Sequence, residues 1–436
     1  MRSKKAALAL LLIIPFFVTA CSLRDLPLIG KFFGGGDGGG NTEEPVTLNF
    51  WSLWEKPEVM EELITQYKQD HPNITINFDD RTIVNVNDYK EAVFTRASQE
   101  GSFDIVLVHN SWVPRLRNVL VPSKNIDSTF VAENMYPTAS ESGVYNGEVY
   151  AVPMYYDGLA LIYNKAHFNE IDQMYPPTAW EEFRKLAMQL TVFSEGRDRE
   201  LIRAGAALGC ASNIDFFSDI LGLMFVQALT DVPEDLDSKY AADALQFYVN
   251  FVLEDEVWSE NMPESATAFA QEKVSMIFAP SWIVLDILKE RPDLDIGVAK
   301  VPQALTEKDS DKYTSWATYW MAAVPVGSQY QQQAWEFIKY LTEEETQLVY
   351  YNAAAKYREF GPVYSKVGLA DQIAPGHFLE PYVKDALIAR SGSIAARAGN
   401  KDQVTAMKEA VDAVLHQGVS PLDALTAAKD KILKSQ

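Results

Sequence analysis

Aromatic and polar side chains follow several segments that the sequence predicts to be buried strands. The predicted strands at 46–51, 103–108 and 274–278 each end beside tryptophans and polar residues. Flat rings beside fixed polar groups suit a sugar, because a sugar presents apolar C–H faces and a rim of hydroxyl groups. The candidate binding residues are Trp51, Trp54, Asn110, Trp112, Tyr156, Asp157, Trp282, Trp316, Tyr319 and Trp320. The pattern predicts noncovalent binding of a solute, without catalysis.

A polar turn near the middle of the chain would bring some of these residues into a groove. Two strand-like runs, 149–152 and 159–163, flank Pro153, Asp157 and Gly158. Proline fixes its own φ and glycine adopts angles that other residues avoid, so the chain can leave one sheet here and enter another. We therefore predict a crossing between two lobes, with an ordinary hairpin inside one domain as the alternative.

The first folded segments alternate between strand and helix. A strand at 46–51, a helix that begins near Pro57 and a strand at 73–78 are typical of a parallel, doubly wound sheet. In such sheets ligands bind beyond the carboxyl ends of the strands, where Trp51 and Trp54 lie. A tryptophan in a loop can also cover the core, but the recurrence of the pattern along the chain favours binding.

The start of the chain predicts export. Three basic residues precede an apolar run at 6–18, which is too short to span a bilayer and ends three residues before Cys21. We interpret 1–20 as a lipoprotein signal peptide and Cys21 as the lipidated residue of a bacterial lipobox. The glycine-rich stretch that completes 21–45 would be a flexible linker. The mature protein is then expected outside the cytoplasmic membrane, held there by acyl chains.

Composition excludes several classes of partner. The 436 residues carry a formal net charge of -22 with no cluster of cations, so nucleic acid is not an expected partner. The five histidines have no paired metal-ligand spacing, and no cofactor motif is found in a strand–turn–helix context. Cys210 would have no disulfide partner and is expected to be a buried thiol. We expect a monomer without metal or cofactor.

Several short motifs occur in an order typical of one family. They are the lipobox, Phe50-Trp51, His71-Pro72-Asn73-Ile74, Phe103-Asp104-Ile105-Val106, Tyr150-Ala151-Val152-Pro153, Leu161-Ile162-Tyr163-Asn164-Lys165, Pro177-Thr178-Ala179-Trp180-Glu181, Ser275-Met276 before Trp282, and Ala334-Trp335-Glu336-Phe337-Ile338. This ordered set resembles the extracellular solute-binding proteins of bacterial ABC importers, in particular the carbohydrate-binding group that includes maltose-binding protein.

The resemblance implies an α/β fold of two lobes, the type II periplasmic-binding-protein-like fold, with a ligand cleft between the lobes. It implies three crossings between the lobes, near 153–158, 269–276 and 316–325. The N-terminal lobe would comprise 46–153 and 275–320, and the C-terminal lobe 154–274 and 321–436.

The resemblance also implies roles for three residues. Asp157 resembles a cleft acid that accepts hydrogen bonds from sugar hydroxyls, and Trp282 resembles a stacking residue. Arg358 resembles an arginine of a cleft-facing segment, although Pro362 follows the arginine here. The implied function is capture of a carbohydrate and its delivery to the transmembrane subunits of an ABC permease. The alternatives are the same fold binding a peptide, polyamine or other non-sugar solute, and a secreted glycoside hydrolase, which would need two suitable carboxylates.

Overall fold

A computed structural model describes residues 44–196, 199–304 and 312–435. The predicted signal peptide, Cys21 and nearly all of the predicted linker lie outside the described residues. The chain from Pro45 onward forms one compact unit. Within the described ranges, no helix is both long enough and apolar enough to cross a membrane.

The described residues form mixed helices and strands. The strands are β1 (Val46–Ser52), β2 (Ile74–Asp80), β3 (Ile105–His109), β4 (Val144–Tyr145), β5 (Glu148–Val149), β6 (Ala151–Pro153), β7 (Ala160–Asn164), β8 (Val192–Phe193), β9 (Leu201–Arg203), β10 (Met276–Ala279), β11 (Ile296–Ala299), β12 (Ser315–Trp316), β13 (Trp320–Ala323) and β14 (Ala389–Arg390). The helices are α1 (Pro57–Asp70), α2 (Val86–Arg96), α3 (Val113–Leu116), α4 (Ser128–Asn134), α5 (Pro137–Gly143), α6 (Lys165–Asn169), α7 (Trp180–Leu190), α8 (Phe217–Gln227), α9 (Lys239–Leu253), α10 (Ser265–Ala270), α11 (Ser281–Glu290), α12 (Gln331–Leu341), α13 (Glu344–Ala354), α14 (Glu380–Asp385), α15 (Lys401–Gln417) and α16 (Pro421–Ser435).

The first lobe is built on a five-stranded sheet with the order β2-β1-β3-β13-β6. β1 lies parallel to β2 and to β3, which confirms the predicted parallel opening of the sheet. β13 joins β3 and β6 in antiparallel pairs. Helices α1, α12 and α13 pack together on this lobe, where Tyr67 of α1 contacts Phe337 of α12 at a ring-centroid distance of 4.9 Å. Helices cover this sheet, so β3 is an unbroken buried run.

The second lobe is built on the antiparallel sheet β10-β7-β11. Helices α8, α9, α15 and α16 pack together beside it. Because β10 and β11 pair with β7, the segment 275–299 belongs to this lobe. Because β13 pairs with β3, 320–323 belongs to the first lobe. The predicted lobe boundaries at 275–320 and 321–436 are therefore wrong for these strands.

The first two crossings between the lobes run side by side. One connects β6 to β7, as predicted, and the other connects β11 to β13 through the predicted region near Trp316. Gly158 and Ala317 form an antiparallel bridge between them, and the Thr318 amide donates to the Asp157 carbonyl at 3.1 Å. We call this paired backbone the floor between the lobes, and it includes the site residue Asp157.

The third crossing lies between α13 and α14, which the sequence analysis missed. Lys366 still pairs with Met135 of the first lobe, whereas the Tyr382 hydroxyl donates to the Ala279 carbonyl of β10. The predicted crossing at 269–276 is wrong, because Lys273 and Ser275 exchange backbone hydrogen bonds with Ala204 inside the second lobe.

Candidate functional site

Asp157 lies on the crossing between the lobes and accepts three hydrogen bonds from protein donors. Its Oδ1 accepts from the Gly158 amide at 2.8 Å and the Ser281 amide at 3.0 Å, and its Oδ2 accepts from the Ser281 hydroxyl at 2.9 Å. Ser281 is the first residue of α11, so the carboxyl group also caps that helix. Burial raises its pKa to about 7, against the lowering effect of these donors. Asp157 therefore connects the start of α11 to the first crossing through hydrogen bonds.

His109 connects the same floor to the first lobe. The Ser111 amide donates to its Nδ1, which places the ring proton on Nε2, 2.9 Å from the Thr318 hydroxyl. Burial, aided by the nearby charge of Lys90, lowers the pKa of His109 to about 3. The imidazole is therefore a neutral spacer between β3 and the second crossing.

Three tryptophans of the first lobe contact one another, and two of them, Trp320 and Trp112, are buried. Trp320 makes edge-to-face contacts with Trp54 at 4.8 Å and with Trp112 at 5.1 Å between ring centroids. Trp54 is 43% exposed, and its φ of 59° puts a bulky residue in the left-handed region. Such a conformation costs roughly 1–3 kcal/mol and is typical of functional positions. The exposed ring of Trp54 is thus held outward at the end of β1.

Four other predicted site residues have side chains that serve packing. Trp51 is buried in contact with Phe103 and Arg81, and Trp316 is fully buried. Tyr319 donates its hydroxyl to the Thr138 carbonyl, and Tyr156 packs on Tyr136. All four side chains are buried, so a position near a strand end does not guarantee exposure.

Trp316 is fixed by a buried polar partner. Its indole N–H donates to Asp219 Oδ1 at 2.8 Å, and Asp219 Oδ2 accepts from the Ala396 amide at 2.7 Å. Burial raises the pKa of Asp219 to about 7. Gly222 and Gly392 lie against the indole ring with no room for a side chain. We do not retain Trp316 as a ligand contact.

The second-lobe wall is built around Trp282, which is 37% exposed. Phe216 packs edge-on against it at 5.7 Å between ring centroids. The guanidinium of Arg397 lies 5.5 Å from the Trp282 ring centroid and 5.3 Å from that of Phe216. Arg397 also pairs with Asp215, whose side chain is only 4% exposed. Trp282 is therefore an exposed ring with a charged group beside it.

The sequence did not predict a role for Asp215, Phe216 or Arg397. Arg397 lies in a small-residue loop with no motif around it, and its φ of 54° is again in the left-handed region. Phe216 follows Asp215 immediately before α8, in a segment that reads as interior. An aromatic residue beside an acid at a helix start was the one available signal.

A polar cluster surrounds Arg358. Glu55 Oε2 accepts from the Arg358 guanidinium at 3.1 Å and from the Tyr350 hydroxyl at 2.8 Å. Tyr155 lies within electrostatic range of Glu55, Asp157 and Arg358, and burial raises its pKa. The Arg358 Nε is buried without a hydrogen-bond partner in the described structure. This cluster offers fixed donors near the first crossing.

A crevice of about 420 Å³ lies between the lobes on the side of Asn110 and Trp112. Its far wall includes the loop 391–400, which links the lobes. Asn110 Nδ2 donates to the Ser391 hydroxyl at 2.7 Å, and Trp112 Nε1 donates to the Ala398 carbonyl at 2.6 Å. The Lys90 ammonium donates to the Gly399 carbonyl at 2.9 Å. Asn110 and Trp112 therefore lie at the junction of the lobes, where both are almost fully buried.

The site geometry is suited to holding a molecule. Across the described ranges, no group of three or more histidine, cysteine or acidic side chains is arranged to bind a metal ion. The buried carboxyl groups of Asp157 and Asp215 accept hydrogen bonds from protein donors, and Trp112 lines the crevice between the lobes. A two-lobed α/β fold with such a gap defines a binding protein of the type II periplasmic class.

The family follows from comparison with known proteins. The chain belongs to the bacterial extracellular solute-binding protein family, whose model matches residues 52–348. Its fold is similar to that of the GacH receptor of Streptomyces glaucescens, solved with acarbose, at a TM-score of 0.66 and 19% identity over 90% of this chain and 99% of that one.

Two further solved structures share the fold. One is the sugar-binding protein MalE from Xanthomonas citri, with a TM-score of 0.70 and 17% identity over 89% of this chain and 98% of that one. The other is a solute-binding protein from Thermotoga lettingae bound to α-D-tagatose, with a TM-score of 0.65 and 20% identity over 89% of this chain and 99% of that one. They confirm the predicted two-lobed fold.

Proposed function

We propose that this protein is a lipid-anchored receptor that captures a carbohydrate between its lobes and delivers it to an ABC permease, without covalent chemistry. The observation that carries the proposal is the exposure of two tryptophans. All nine tryptophans lie in the described residues, and Trp54 and Trp282 alone are more than a third exposed. Exposed indoles beside polar groups suit the C–H faces and hydroxyl groups of a sugar.

Trp54 and Trp282 belong to opposite lobes. A continuous series of residue contacts connects them. Trp54 contacts Trp320, which contacts Trp112, whose indole nitrogen bonds to Ala398. Arg397, which precedes Ala398 in the chain, lies against Trp282. A ligand that touched both rings would bridge the lobes and favour their closure.

The polar groups that would meet sugar hydroxyls come from both lobes. Arg358 contributes donors from the first lobe, and Arg397, whose side chain is 51% exposed, contributes donors from the second. Tyr155 is half-buried near Asp157 and adds a hydroxyl group. Sugar ligands in relatives support this proposal, since acarbose and α-D-tagatose are bound by proteins of the same fold.

Isothermal titration calorimetry with maltotetraose, mannobiose, mannotriose, acarbose and tagatose tests the sugar assignment. We expect at least one micromolar dissociation constant, which corresponds to about -8 kcal/mol. No heat with any neutral sugar, together with heat from spermidine or a peptide, would contradict it. Release of sugar hydrolysis products would contradict the absence of catalysis.

A cationic solute is the second candidate, because carboxylates gather around Trp282. Asp215 pairs with Arg397. Glu264 and Asp286 also interact electrostatically with Arg397. An ammonium group could bind to these acids beside the indole ring. Putrescine and spermidine in the same calorimetric panel distinguish the two candidates.

Cys21 and the family support the proposed anchor and the proposed partner. Acyl chains on Cys21 would hold the receptor at the outer face of the cytoplasmic membrane, near the transmembrane subunits of its permease. Cys21→Ser should move the protein from the membrane fraction to the soluble exported fraction. Membrane retention of the variant, without lipid incorporation into wild type, would contradict the anchor.

A further inference from the structure

Asp286 stands one helical turn after Trp282 on α11, and both side chains are exposed. Residues four apart on a helix lie on the same face, so the carboxyl group is beside the indole ring. Arg397 interacts electrostatically with Asp286 and lies against Trp282, which places all three groups at one surface. A ring stacked on Trp282 would reach Asp286.

Asp286 differs from the other acids near the cleft because its hydrogen-bonding capacity is unused. Asp157, Asp215 and Glu55 all accept hydrogen bonds from protein groups. Asp286 accepts none from the residues that the structure describes, although Lys289 and Arg397 are near enough to lower its pKa against the raising effect of burial. It is an acceptor that remains available to a ligand.

We propose that Asp286 is a specificity-determining residue that accepts a hydroxyl group of the sugar on Trp282 and excludes sugars that carry a carboxylate at that position. The proposal rests on the proposed function. A carboxylate forms strong hydrogen bonds with hydroxyl donors and repels a second carboxylate in a partly desolvated site. Of the two cations near Asp286, Arg397 is already paired with Asp215.

The test compares Asp286→Asn with Glu290→Gln, a control that removes one charge at the end of the same helix. Each is titrated with the neutral sugar that binds wild type most tightly and with the uronic acid of the same ring configuration. We expect Asp286→Asn to weaken neutral-sugar binding by about tenfold and to strengthen uronic acid binding by about tenfold or more. Glu290→Gln should change neither dissociation constant by more than about twofold.

A charge reversal gives a second, independent readout. Asp286→Lys should favour the uronic acid further, whereas thermal unfolding should be nearly unchanged for this exposed position. If wild type binds neutral sugars and both Asp286 variants behave like Glu290→Gln, the role of Asp286 is overturned and the proposed function stands. If wild type binds no sugar in the panel, the proposed function is overturned and Asp286 loses its role with it.

Discussion

Truncation of the two exposed tryptophans gives the sharpest test of where the solute binds. A tryptophan side chain offers up to about 250 Å² of surface. The 37% of Trp282 that is exposed then amounts to roughly 90 Å² that a sugar could cover. At about 25 cal/mol per Å², its loss in Trp282→Ala removes about 2 kcal/mol of binding energy, or roughly 30- to 50-fold in Kd.

Removing the Trp54 ring should cost slightly more binding energy, because Trp54 is 43% exposed. We expect Trp54→Ala to weaken binding by roughly 50- to 100-fold. Both rings would contact the same ligand, so the double variant also measures the coupling between them through closure of the lobes.

The assay is calorimetric titration with the sugar that binds wild type most tightly. Tyr240→Ala is the matched control, because Tyr240 is an exposed aromatic residue on α9. It should leave Kd unchanged. Circular dichroism and thermal unfolding confirm that each variant is folded. If folded Trp54→Ala and Trp282→Ala each change Kd by less than about threefold, the placement of the sugar between these rings is refuted.

Two further predictions concern stability. The folded pKa of Asp219, about 7, lies above the ordinary aspartate pKa of about 3.9, so the stability it contributes is complete below about pH 3.9 and is lost as pH rises through 7. That loss is at most roughly 4 kcal/mol. In urea unfolding between about pH 5 and 8.5, the free energy of unfolding should decline less steeply for Asp219→Asn than for wild type. Equal slopes would contradict the raised pKa. Gly222→Ala would place a methyl group 2.6 Å from the Trp316 ring, which is fixed by Asp219. It should lower stability by about 1–3 kcal/mol in urea unfolding despite better helix propensity, and an unchanged midpoint would show that the ring can move.

Local patterns in the sequence were sufficient for the opening of the fold. The alternation of buried residues in β1 and the proline at the start of α1 predicted strand and helix, and β2 followed at the expected interval. The crossing at 153–158 was also predicted, because Pro153 and Gly158 interrupt two strand-like runs. These features depend on residues close together in the chain.

Pairing between distant segments could not be predicted in the same way. β10 pairs with β7 across more than a hundred residues, and nothing in Met276–Ala279 distinguishes this partner from β1. The third crossing depends on contacts of Lys366 and Tyr382, which lie in irregular backbone. The lobe boundaries were therefore wrong where the long-range pairing decides them.

The exposure of the candidate site residues could not be predicted from the sequence. Trp51 and Trp54 are three residues apart, yet one is buried beneath Arg81 and the other faces outward, because the chain turns through a left-handed residue between strand and helix. Residue type does not reveal such a turn. Arg397 is positioned by Asp215 and by the loop anchored at Asp219, which only the folded structure brings together.

A crystal structure of the protein with its tightest-binding sugar tests the central claim most directly. We predict a sugar ring stacked on Trp282, with Trp54 contacting the same molecule from the other lobe. A sugar bound outside the junction of the lobes, with both indole rings still open to solvent, would contradict the account.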